Sequence, residues 1–100
     1  MDRFEAAVNE ALDSIPDPFW RWLENTQFVI EKRSPEGLMG LYEGATALEA
    51  GEGFPERVVI YKESHERACE SWDDLVEEVR RTILHEVGHH FGMAEEDLPY

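Results

Sequence analysis

The sequence predicts an α+β fold: one small domain in which two N-terminal helices and a long C-terminal helix pack on a twisted sheet of three to four short strands. Three observations predict it. Apolar residues recur at three- and four-residue steps near the N-terminus and again over the last third of the chain. The middle instead holds short β-rich runs, broken by Gly37, Gly40, Gly44, Gly51 and Gly53. A length of 100 residues admits one modest core, so residues 1–100 read as a single domain.

Each element follows from local chemistry. Phe4, Ala7, Val8, Ala11, Leu12 and Ile15 form one stripe, which predicts an amphipathic helix over residues 3–14. Pro16 ends it, and Asp17 followed by Pro18 is the cap and first turn of a second, short helix. Phe19, Trp20, Trp22 and Leu23 there have helical spacing and read as core rather than as a ligand box. Residues 26–32 (TQFVIEK) and 56–63 (ERVVIYKE) are strands. The consecutive Val58, Val59, Ile60 and Tyr61 predict a central strand buried on both faces. Between the two, GLYEG (40–44) and ATALE (45–49) are candidate edge strands. The charged residues 62–71 read as a connector. Ser71 with Asp74 three residues on resembles a capping box and starts the last helix, expected from Trp72 to Phe91 with Gly92 as its stop.

Twenty-three acidic against nine basic residues give a formal charge of −14, which argues against nucleic acid and anionic membranes as partners. No apolar run has the length of a signal peptide or a membrane span, and the single cysteine, Cys69, suits a reducing compartment. The expected location is the cytoplasm. Cys69 reads as a small core residue, and His65, in its charged segment, as a surface residue.

The chemistry is concentrated in LHEVGHHFGMAEEDL (84–98), which holds three of the four histidines. At about 100° per residue, Trp72, Leu75, Val76, Val79 and Ile83 form the apolar stripe of the last helix. His85 and His89 lie one turn apart on its edge, and Glu86 falls between that pair and the middle of the stripe, a half-buried position. His90 falls inside the stripe and reads as core. Two imidazoles at i and i+4 can meet one zinc ion, while the glutamate beside the first reaches a water on it rather than the ion. Gly92 can take the left-handed conformation that turns the chain, so that a residue such as Glu95 returns to the same ion.

TILHEVGHHFGMAEEDL resembles the small bacterial zincin-like metallopeptidases, or mini-zincins, which are short, acidic and intracellular and carry HExxHxxGxx(D/E) near the C-terminus. The resemblance extends upstream through GLYEG (40–44), FPERVVIYK (54–62) and EEVRRTILHE (77–86). It implies a single zinc centre with His85 and His89 as ligands of one Zn2+, Glu86 as general base and Gly92 as the turn. Glu95 stands at the third-ligand position, where the commoner pattern has aspartate, and Asp97 and Glu96 are the alternatives. Larger zincins follow the motif with a methionine-bearing turn beneath the metal. Eight residues follow Gly92 here and Met93 comes too early, so Tyr100 is the candidate floor of the site.

The activity implied is hydrolysis of a peptide or protein substrate by a zinc-activated water, with an edge strand holding the extended peptide. Tyr42 is either a hydrogen-bond donor in that reaction or an ordinary strand aromatic. So small a chain has little to wall a specificity pocket, and a homodimer or a partner protein is expected to complete the cleft. The alternative is a catalytically inactive metal-binding or interaction module on the zincin scaffold. Glu86 weighs against it, because a site that only binds needs ligands and not a base.

Overall fold

The computed structural model describes residues 2–24, 26–43 and 56–90, apart from the side chains of residues 21, 22, 89 and 90. Helix α1 (Arg3–Asp13) is capped by Asp2, whose carboxylate accepts from the Glu5 amide at 2.8 Å. A six-residue 3₁₀ helix (Asp17–Trp22) follows in place of a second α-helix. Its few residues are closed by i→i+3 bonds such as Phe19 N–H to the Pro16 carbonyl. Two of the aromatics there act as expected, and the Trp22 side chain lies outside the described residues. Phe19 and Trp20 pack against the core, and the Trp20 indole donates to the Ile15 carbonyl at 3.1 Å.

Among the described residues three strands form the sheet: β1 (Thr26–Glu31), β2 (Gly40–Glu43) and β3 (Glu56–Tyr61). The order is β1-β3-β2, so the last of the described strands is the central one. It runs parallel to β1, with Val58 opposite Phe28 and Ile60 opposite Ile30. It runs antiparallel to β2, with Gly40 opposite Ile60 and Tyr42 opposite Val58. All four residues Val58–Tyr61 are buried, as a run of consecutive β-formers predicts for a middle strand. The candidate strand at 45–49 lies outside the described residues.

The segment read as a connector is largely a helix, α2 (Lys62–Ala68), which starts directly where β3 stops. Lys, Glu, Arg and Ala are good helix formers, but the inward positions are the polar Ser64 and His65, so no apolar periodicity marks it. The last helix, α3 (Trp72–His90), begins at the predicted residue, with the Asp74 amide donating to Ser71 Oγ at 3.1 Å. Phe4, Ala7, Val8 and Ala11 of α1 meet Leu75, Val79 and Ile83 of α3, and Val58 and Ile60 close the same core from the sheet. Helix α3 also lies against β2 and β3, which places the motif beside the edge strand.

Candidate active site

His85 and Glu86 stand on the penultimate described turn of α3, both half-buried, as the helical wheel predicts. Leu84, Val87 and Gly88 around them are buried, so the helix passes from one covered face to near enclosure at this level. The backbone is helical from Trp72 through His90, which keeps the four-residue spacing of His85 and His89 equal to about one turn. The His89 and His90 side chains, Gly92, Glu95, Glu96, Asp97 and Tyr100 lie outside the described residues. Among the described residues no three metal-ligating side chains converge, and only one of the three expected ligands, His85, has its side chain there. What the structure does offer a divalent ion is an unbroken helix edge presenting His85 next to a half-buried carboxylate. Such a carboxylate is costly unless a cation or donor meets it.

The edge strand comes very close to this turn. A Cβ built on Gly40 would stand 2.6 Å from Thr82 Cγ2, 3.1 Å from the Val59 carbonyl and 3.6 Å from Glu86 Cγ. Gly40 therefore does more than break a loop. Only a residue without a side chain lets β2 lie this near the helix that carries Glu86.

His65 is the main correction to the sequence reading. It is 0% exposed, not a surface residue. Its Nδ1 lies 2.9 Å from the Tyr61 carbonyl and its Nε2 2.9 Å from Thr82 Oγ1, with Phe4 tilted against the ring at 5.7 Å. A carbonyl only accepts, so Nδ1 carries the proton and Nε2 of the neutral ring accepts from the Thr82 hydroxyl. That hydroxyl also lies 2.9 Å from the Glu78 carbonyl and shares its one proton between the two acceptors. Burial holds the His65 pKa below its ordinary value, against the smaller opposing pulls of the Tyr61 carbonyl and Glu78. The signal for this was absent locally, because its partners come from α1, β3 and α3.

Tyr42 behaves as a strand aromatic. Its ring packs on the core, burial drives its phenol well above the usual range, and hydrogen bonding to Glu56 adds to that rise. Thr26 beside it pulls the other way, which sets the phenol among the polar groups at the starts of β1 and β3. Cys69 is half-buried against the core, and burial raises its thiol pKa, which fits a packing role and not a nucleophile.

Comparison with known proteins agrees with this geometry. A family model described as zincin-like metallopeptidase matches residues 19–100. Among solved structures, a conserved hypothetical protein from Thermus thermophilus is similar, with 26% identity, a TM-score of 0.58 and coverage of 89% of this chain and 91% of that chain. No curated protein matches. No described helix is long and apolar enough to cross a membrane.

Proposed function

Because the chain belongs to the zincin-like metallopeptidase family, we propose that it is a minimal zinc-dependent peptidase in which Glu86 is the general base. The observation that carries this reading is the place of Glu86: half-buried on the motif helix, with its Cγ against the Gly40 notch of edge strand β2. A site that only bound metal would have no use for a carboxylate between the helix and a strand edge.

His85 and His89 would hold one Zn2+, with Gly92 as the turn and Glu95 as the third ligand, and Asp97 or Glu96 as the alternatives. Tyr100 would be the floor of that site. When bound, zinc supplies a Lewis acid that polarises the scissile carbonyl and lowers the pKa of a water towards about 7. The Glu86 carboxylate takes a proton from the attacking water and delivers it to the leaving amine. Among the described residues β2 lies at the sheet edge, so its backbone can pair with an extended peptide, and the exposed Leu38 and Leu41 offer that peptide apolar contact. A second copy or a partner protein completes the cleft around so small a domain.

Zinc analysis combined with cleavage of a degenerate peptide library tests the reading. The expected result is one zinc per chain in both wild type and Glu86→Gln, with cleavage by the variant reduced about 100-fold or more. Substitution of His85 or His89 by alanine is expected to abolish tight zinc binding. Zinc without cleavage by wild type would instead favour a non-catalytic metal-binding or interaction module on the same scaffold. Equal cleavage by wild type and Glu86→Gln would exclude Glu86 as the base.

A further inference from the structure

Thr82 stands one turn before Glu86 on α3 and is engaged at both branches of its side chain. Its hydroxyl meets His65 Nε2 at 2.9 Å, and His65 is itself fixed by the Tyr61 carbonyl at the end of the central strand. Its methyl faces the Gly40 notch in β2, the same notch against which the Glu86 side chain rests. A helix lying on a sheet through apolar contacts alone has no directional bond to fix its position along the strands. Here one hydrogen bond to β3 through His65, and one methyl fitted against a glycine of β2, supply that position.

We propose that Thr82, held by His65, is a positioning residue that sets where the Glu86 carboxylate stands relative to β2. The proposal rests on the peptidase reading above. It follows from how demanding proton transfer is: a general base works within hydrogen-bond reach of its proton, and a misplacement of about 1 Å can cost roughly 100-fold. The ligands are a separate matter, because the spacing of His85 and His89 is set by the helix that carries both.

The methyl contact can be tested from both sides while the hydroxyl and its bond to His65 are kept. Thr82→Ser keeps the hydroxyl and removes the methyl, whereas Gly40→Ala adds a methyl from the strand side. Combining them moves one methyl across the contact. The readout is Co2+ alone, added to the purified chain: its affinity, and the pH midpoint of its visible absorption, with the melting temperature of each variant. Gly40→Ala is expected to move the midpoint in the same direction as Glu86→Gln and at least half as far. Adding Thr82→Ser to Gly40→Ala is expected to restore it. Affinity for Co2+ is expected to change by less than the roughly 10-fold that follows loss of a group bonded to a ligand.

A midpoint unmoved by Gly40→Ala, or moved and not restored in the double variant, would overturn the proposal. If Gly40→Ala fails to fold, Thr82→Ser alone decides, with a smaller shift in the same direction expected and no shift overturning it. No Co2+ uptake by wild type, or no effect of Glu86→Gln, would instead overturn the peptidase reading on which the proposal rests.

Discussion

His65 shows how a single side chain ties stability to pH. Burial depresses its folded pKa below the ordinary value of 6.5. Above about pH 6.5 the ring is neutral in both folded and unfolded chains and contributes no pH dependence. As the pH falls below that, the unfolded chain binds a proton that the folded chain resists, so stability declines until the folded pKa is reached. Denaturant unfolding at about pH 7.5, 6.5 and 5.5 is expected to show this decline in wild type and a shallower one in His65→Phe. Equal slopes would assign the acid sensitivity to other groups. At this scale the site was partly legible. The spacing of His85, Glu86 and His89 lies within one turn and a half of sequence, so it could be read without a fold. His65 could not, because Phe4 and Thr82 reach it from distant parts of the chain.

Elements were legible where their signals were local. Helix α3 begins at Trp72 because Ser71 caps it, and α1 begins at Arg3 because Asp2 does. Ser71→Ala is expected to cost about 1 kcal/mol, measured by denaturant unfolding, since it leaves the Asp74 amide without its Ser71 Oγ acceptor. A loss below a few tenths of a kcal/mol would show that water serves that amide equally well. Strand β3 announced itself through four consecutive β-formers. Helix α2 did not, because a short helix that buries a serine and a histidine has no apolar period to find. Gly40 was visible as a chain breaker, yet its real role, close approach to Thr82 and Glu86, exists only once strand and helix are packed. The exposed ion pairs Arg33–Glu63 and Arg57–Glu43 join elements but add little to stability, as exposed pairs do.

The described residues share one core, and α3 is in the middle of it. Ile83 is 0% exposed and lies two residues before His85, so Ile83→Ala is expected to cost about 2–5 kcal/mol by loss of burial and a residual cavity. Calorimetry of that variant would measure it, and a cost below about 1 kcal/mol would mean the core collapses around the gap. On the proposed reading, metal binding would act on the same equilibrium. Zinc at 100 times its Kd is expected to stabilise the fold by about 2.7 kcal/mol, and a chelator to remove that gain. The gain should be absent in His85→Ala, and its persistence there would place the ion elsewhere. The sheet order was beyond the sequence, since nothing local says that β3 inserts between β1 and β2.

The pairing of α1 with α3 also has a consequence for how the chain is made. Phe4, Ala7, Val8 and Ala11 leave the ribosome well before their partners Leu75, Val79 and Ile83. The indole of Trp72 reaches Glu10 across 62 residues of sequence. At about 5–20 residues per second, the N-terminal helix waits on the order of ten seconds for its other half. An isolated helix of 11 residues is marginal in water, so through that interval its apolar face is open to chaperones and proteases. A nascent chain that stops short of Ile83 therefore lacks the partners of that face. It is an unfinished core, exposed for as long as synthesis stalls.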